Sequence, residues 1–271
     1  MDLLCDVMRV SRSGYYKWLK EKGGKRAISD EIAMEKIREV FAKSRQTYGR
    51  RRVTRRLRKM KIVISEKRVG RLMREAGLRA VGTLKFRATT NSKHSRPVAP
   101  NLLAREFQTS SLNTAWVSDI TYVPTSQGWL YLCVILDLAS RRIVGWSMRE
   151  SMHAEMVTTA LRGALDTRKP LPGLIFHSDR GVQYASAEVV RVLQSRAVRQ
   201  SMSRKGDCWD NAVSESVFAT IKKELVYRCK FADRETARGA IFEYVEVFYN
   251  RERDHSALGY LTPEEFERKA A

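Results

Sequence analysis

Three acidic residues sit where an ordinary surface role explains them poorly. Asp119 falls inside the apolar stretch 115–123, where aspartate has poor strand propensity and an unpaired charge is costly. Asp179 comes just after Leu174-Ile175-Phe176-His177-Ser178, a short apolar run, and the end of a strand is where a sheet usually builds its site. Glu215 belongs to a helix that starts near Trp209-Asp210-Asn211. Brought together, the three carboxylates would repel one another unless a cation sat between them. Two Mg²⁺ ions (or Mn²⁺) held this way would polarise a phosphodiester and stabilise both the entering and the leaving oxygen. Taken singly, Asp179 could be a turn or cap residue and Glu215 a solvated helix residue. Asp137, which closes the apolar stretch 129–138, is a rival acid. It reads as a turn and strand-end residue contacting Arg141 or Arg142 rather than as a metal ligand.

Such a cluster needs a sheet to position it. Residues 115–123 alternate, with Val117, Asp119, Thr121 and Val123 on one face and Trp116, Ile120 and Tyr122 on the other. Gln127-Gly128 marks a turn, 129–138 reads as a buried strand and 142–148 as a third, which together make an antiparallel meander. A helix over 153–167, a strand over 174–178, a helix over 187–196 and a strand over 198–201 follow. That order predicts an α/β fold, a mixed sheet with helices packed on it.

The charge lies elsewhere. The chain has 271 residues and a formal charge of +21, a surface that seeks a polyanion. Residues 1–100 hold 28 basic and 9 acidic side chains (+19), the rest 23 and 21 (+2). A basic module therefore precedes a nearly neutral one. Its sequence predicts short helices over 2–8 and 12–20, with Ser11 as N-cap, and a further helix from Ser29 carrying Ile32, Ile37, Val40 and Phe41. After Tyr48-Gly49 comes a run with Val53, Leu57 and Met60, then a turn at Ile62-Val63-Ile64. Ser65 opens a helix with Val69, Leu72, Met73 and Ala76 at helical spacing, and Gly77 stops it. Helix, tight turn and capped helix is a helix-turn-helix, whose second helix enters the major groove. Its outward face would carry Lys67, Arg68, Arg71 and Arg74, while Arg50, Arg51 and Arg52, with Arg55 and Arg56, add charge without matching acids. Residues 85–108, aperiodic and with Pro97 and Pro100, read as a linker.

Other classes are excluded. The four cysteines are scattered with no C-x-x-C, and His94, His153, His177 and His255 are dispersed, so neither a zinc finger nor a disulfide framework is expected. Cys133 reads as a small core filler. The longest apolar run, 129–136, is far short of the ~20 residues that span a bilayer. Asp2 and Asp6 interrupt the N-terminal apolar stretch, which argues against a signal peptide.

The carboxylate spacing and the wording around it resemble a known family. Asp179 and Glu215 are separated by 35 residues, and Lys222 follows Glu215 by seven. This resembles the D, D-35-E pattern of retroviral integrases and related transposases. The segments Trp116-Val117-Ser118-Asp119-Ile120-Thr121-Tyr122, His177-Ser178-Asp179-Arg180-Gly181 and Ser203-Arg204-Lys205-Gly206-Asp207-Cys208-Trp209-Asp210-Asn211-Ala212 are closer still. With Tyr249-Asn250-Arg251, His255 and Leu258-Gly259-Tyr260-Leu261-Thr262-Pro263, they resemble the second-frame protein of insertion sequence three family transposases, over nearly the whole chain.

The resemblance implies an RNase H-like integrase core with Asp119, Asp179 and Glu215 as catalytic, metal-binding residues and two Mg²⁺ ions as cofactor. It also implies cleavage and strand transfer at the ends of a bacterial insertion sequence, by way of a circular joined intermediate. Seven helical residues turn through about 700°, so Lys222 lies roughly 20° from Glu215 on the same face, where it would touch DNA. The glycine-containing segment around Gly206 suggests a mobile loop ahead of that helix. The expected organisation is a short helical segment (1–28), a helix-turn-helix domain (29–84), a linker (85–110) and the catalytic domain with C-terminal helices (111–271). Expected partners are the element's terminal repeats and target DNA, with self-association or an upstream-frame protein for synapsis, in the bacterial cytoplasm on the nucleoid. The chain has neither the HHCC zinc module of retroviral integrases nor a heptad seam, and so resembles the downstream product alone. Two rival readings are a nuclease on the same fold that cuts without joining, and a non-catalytic DNA-binding regulator.

Overall fold

Short polar caps set the helix ends of the N-terminal part. In the computed structural model, which describes residues 2–20, 25–81, 97–107, 109, 111–204 and 208–270, two compact units divide the chain at Val81/Gly82. The first unit is all helix: α1 (Asp2–Val7), α2 (Arg12–Lys20), α3 (Lys25–Lys43), α4 (Arg50–Lys59) and α5 (Glu66–Glu75). Ser11 Oγ accepts from Gly14 N at 3.1 Å, the expected cap of α2. Ser65 Oγ accepts from Arg68 N at 3.2 Å at the start of α5. Gly77 ends α5 with φ +66°, and Leu78 N reaches back to Met73 O at 2.8 Å, a Schellman stop that a left-handed residue makes possible. Ile37, Val40 and Phe41 of α3 pack with Val53 and Leu57 of α4 and Val69, Leu72 and Met73 of α5 in one core. Three expectations fail here. The third helix starts at Lys25 rather than Ser29, and Ile32 is 60% exposed because Ala33, four residues before Ile37, takes the inward position. Met60, past the end of α4, also faces solvent.

The second unit holds the sheet. Its elements are β1 (Ala115–Thr125), β2 (Gly128–Asp137), β3 (Ile143–Arg149), α6 (Ala154–Arg168), β4 (Ile175–Ser178), α7 (Ala187–Ser195), β5 (Arg199–Met202), α8 (Ala212–Glu224), α9 (Arg234–Glu243), a π-helical segment (Tyr244–Glu252) and α10 (Pro263–Ala270). The strand order is β3-β2-β1-β4-β5, with the meander antiparallel and β1, β4 and β5 parallel, as the pattern predicts. One face buries Val117, Val123, Leu132 and Val134 against Val217, Phe218 and Ile221 of α8 and Ile241 and Phe248 beyond it. The other buries Trp116, Cys133 and Ile135 against α6 and α7. Gly145 permits the close approach of α6 to β3, since a Cβ there would stand 2.6 Å from Ala160 O. Among the described residues, no helix is long and apolar enough to cross a membrane.

Two features hold the site-bearing elements in place. At the end of α8, Glu224 accepts from Arg253 Nε and Nη2, both at 2.8 Å, and from Tyr244 OH at 2.7 Å, all buried. Asn250 of the π-helical segment presents its amide to Ile143 N and O at 3.0 Å each, in place of a backbone partner. The stretch read as linker is not loose where it is described. Leu102 N and Leu103 N donate to Ser201 Oγ, and Leu103 is buried in the core. Residues 85–96 of that stretch lie outside the described residues.

Candidate active site

Register brings the first two carboxylates together. The last parallel pair of β1 and β4 is Ser118↔Ser178, so Asp119 and Asp179 are the next residues on neighbouring strands, at one level of the sheet. Asp119 Oδ1 accepts from Ile120 N at 2.7 Å and Asp179 Oδ1 from Gly181 N at 2.9 Å. Glu215 lies in the first turn of α8, whose Val217, Phe218 and Ile221 pack on the Asp119 face of β1. Lys222, buried two turns on, reaches the Tyr122 ring, its Nζ 4.6 Å from the centroid.

The electrostatics tie the four groups into one site. Burial and then the charge of Asp179 push the Asp119 carboxyl up to about 8, the Ile120 amide opposes this, Glu215 adds to it and Lys222 offsets it. Burial also raises Glu215 and lowers Lys222, the latter countered by Asp119. An acid held protonated near neutrality by burial and by a neighbouring carboxylate is a site short of positive charge. That donor set, all oxygen and anionic, fits Mg²⁺ or Mn²⁺. Among the described residues, no three acidic, histidine or cysteine side chains form a ready-made metal cage. A ready-made cage is not required for Mg²⁺, which is usually held by one or two carboxylates together with substrate phosphate.

Asp137 has other work. Its Oδ2 accepts from Asn113 N at 2.7 Å and Trp116 Nε1 at 3.2 Å, and its Oδ1 from Ala139 N and Ser140 N at 2.9 and 3.1 Å. It is the expected turn and strand-end residue, with a corrected set of partners. Its links to Arg141 and Arg142 run through the backbone, while its side chain serves backbone amides and an indole.

Sequence reasoning passed over Asp210. Its side chain is wholly buried and accepts from Asn101 Nδ2 (2.9 Å), Arg105 Nε (2.9 Å) and Arg204 N, Nε and Nη2 (2.9, 3.0 and 2.8 Å), bonds that hold its carboxyl far below the usual range. Its carbonyl meets His177 Nε2 at 3.0 Å. One acid thus joins the strand before Asp179, the residues ahead of α8 and the 97–107 segment. The signal was a lone acid between apolar Trp209 and Asn211-Ala212, too short to read. The expected mobile loop at Gly206 lies outside the described residues.

The basic face differs in detail from expectation. Lys67 and Arg74 face solvent, but Arg71 Nη2 and Arg68 Nε each donate to Asp30 of α3 at 2.6 Å, and Arg71 also pairs with Glu75. Nor are the Arg50 and Arg51 charges unmatched, since Glu66 Oε1 stands 2.9 and 3.5 Å from their Nε atoms. Arg52 lies over the Tyr48 ring at 5.4 Å.

Comparison with known proteins follows the same division. An HTH-like domain profile matches residues 28–86, and two profiles described as integrase core domains match residues 110–208 and 196–263. Among solved structures, the chain resembles the simian T-cell lymphotropic virus intasome (15% identity, TM-score 0.49, 75% of this chain and 66% of that one). It also resembles the HTLV-2 integrase catalytic core domain in complex with magnesium (16%, TM-score 0.44, 58% and 97%). The insertion element IS600 uncharacterized 31 kDa protein of Shigella sonnei is 44% identical over 266 residues, 98% of each chain. Transposase InsF for insertion sequence IS3A of Escherichia coli (strain K12) is 41% identical over 268 residues, 98% of this chain and 93% of that protein. Kinship over this length, with both domain profiles in the order the fold requires, means that the chain belongs to the IS3-family DDE transposases.

Proposed function

We propose that Asp119, Asp179 and Glu215 are the catalytic carboxylates of this transposase and that they hold two Mg²⁺ (or Mn²⁺) ions for cutting and joining DNA at the ends of its insertion sequence. The family assignment makes the chain a DNA-binding polynucleotidyl transferase of insertion-sequence transposition. The observation that carries the residue assignment is the β1–β4 register, which puts Asp119 beside Asp179 on the face where α8 delivers Glu215. When bound, the metal supplies positive charge and polarises the phosphodiester. Asp119 in its deprotonated form would be one of the groups that hold the metal, and the Ile120 and Gly181 amides orient the two aspartates. Lys222 neutralises a DNA phosphate next to the carboxylates. Hydrolysis at the element end frees a 3′-hydroxyl, which attacks a second phosphodiester in line. One bond replaces another, so neither ATP nor a covalent enzyme intermediate is needed.

The proposed organisation is a helical segment (1–28), a helix-turn-helix domain (29–84), a linker (85–110) whose 97–107 part packs on the catalytic domain, and the catalytic domain (111–271). The first hundred residues, at +19, grip phosphates through Arg50, Arg51, Arg52, Lys67 and Arg74, with Arg68 and Arg71 exchanging Asp30 for DNA. Two ends must be held together, so a second copy or an upstream-frame protein completes the complex, on the nucleoid in the cytoplasm. The test is incubation of the full chain and Mg²⁺ with labelled element-end DNA. The proposal requires a joined product, and cut strands alone would show a nuclease.

A further inference from the structure

At its far end β1 runs on past β4, and there an aromatic pair stays in water. Tyr122 and Trp129 face each other across the β1–β2 hairpin with ring centroids 4.8 Å apart at 77°, yet remain 38% and 50% exposed. The two are diagonal cross-strand neighbours, a contact that stabilises the hairpin and still leaves much of both rings open to solvent. Two further facts single this pair out. Lys222, from the helix that carries Glu215, reaches round the edge of β1 that β4 no longer flanks and lies 4.6 Å over Tyr122. The same ammonium is within electrostatic reach of Asp119. Arg234 donates from Nε to the Trp129 backbone carbonyl at 3.4 Å, with its Nη1 paired to Glu150 at 2.8 Å, and so braces the strand beside the indole.

Half-exposed aromatic rings with a lysine against one of them, next to a site for phosphodiesters, have the chemistry that binds an unpaired nucleotide. The rings stack the base and Lys222 offsets the phosphate. We propose that Tyr122 and Trp129 form a stacking subsite for one unpaired nucleobase adjoining the phosphodiester at the carboxylates, with Lys222 between base and reacting group. The subsite rests on the reading of Asp119, Asp179 and Glu215 as the reacting centre. Stacking on side chains is tolerant of base identity, so the subsite selects a splayed end over a paired one and adds little sequence preference.

The test uses the full chain, Ca²⁺ in place of Mg²⁺ and a short duplex with one splayed end carrying 2-aminopurine at the first unpaired position. Binding should quench the probe. Trp129→Ala and Tyr122→Leu should abolish the quenching and weaken binding of the splayed probe by about 5- to 150-fold relative to a blunt duplex, while Tyr122→Phe, which keeps the ring, should behave as the unaltered chain. An abasic nucleotide at the same position should weaken binding by the unaltered chain to the same extent, a readout independent of any variant's folding. Unchanged quenching in Trp129→Ala and Tyr122→Leu, or an abasic probe bound as tightly as the intact one, overturns the proposal. Asp119→Asn should still quench, so loss of cutting with quenching intact separates this subsite from the carboxylate assignment.

Discussion

Metal binding to this site should release protons, and the amount follows from Asp119. Burial and the neighbouring Asp179 carboxylate push its acid up to about 8, so near pH 7 it is about nine-tenths protonated and must lose that proton to become a ligand. Release from this group should therefore be about 0.9 proton per site at pH 7, about half at pH 8 and about 0.1 at pH 9. Apparent metal affinity should rise nearly tenfold per pH unit below 8 and flatten above it. Glu215, also raised by burial, adds to the release in the same direction. Calorimetry with Mg²⁺ or Mn²⁺ in buffers of different ionisation enthalpy reads the number directly, and Asp119→Asn should remove most of it. A heat independent of buffer at pH 7, or an affinity flat between pH 6 and 8, refutes the reasoning. Without metal the sign for folding is opposite to that of a salt-bridged acid. The folded state holds a proton the unfolded state loses near pH 4, so this contribution to stability is present at low pH and disappears as pH rises to about 8.

Other outcomes follow from the same structure. Asp137→Ala should lower Tm, because it leaves three backbone amides and the Trp116 indole without their acceptor at about 1–3 kcal/mol each, yet the folded fraction should still cut DNA. Arg253→Ala should cost about 3–5 kcal/mol, measurable by denaturant unfolding, since it strands Glu224 in the core. Arg74→Ala and Lys67→Ala should each reduce the slope of log affinity against log salt by about 0.9 if each side chain neutralises one phosphate, measured by DNA binding across a salt series. Asp210→Asn should slow cutting while leaving DNA affinity unchanged, as it loosens the segment that binds Arg105 and Asn101 ahead of α8, and reduced affinity with normal turnover would contradict that role.

The sheet was legible because its signals are local. Alternation in β1, the Gln127-Gly128 turn and the strand–helix succession after it each depend on a few adjacent residues, and their bounds agree with the structure to within two residues. Asp119 stood out for the same reason, as an acid in a strand that wants none. What escaped depends on partners distant in sequence. Asp210 takes its meaning from Asn101 and Arg105, more than a hundred residues earlier, and Glu224 from Arg253. The π-helical segment is too short for its wider period to stand out in the sequence, and Asn250 matters because its amide pairs with the backbone of Ile143, more than a hundred residues earlier. The basic face of α5 was read correctly as basic, but Asp30 lies on another helix and takes up two of its arginines. Helical periodicity assigns a face without saying what already occupies it.

The most direct test of the carboxylate site is strand joining by the full chain and its Asp119→Ala, Asp179→Ala and Glu215→Ala variants. All four are assayed with Mg²⁺ on DNA bearing the element's own ends, and DNA binding is measured in the same samples. The unaltered chain should cut and join, and each variant should bind the DNA as tightly while yielding neither product. Near-native joining by Asp119→Ala or Glu215→Ala would contradict the assignment of the site.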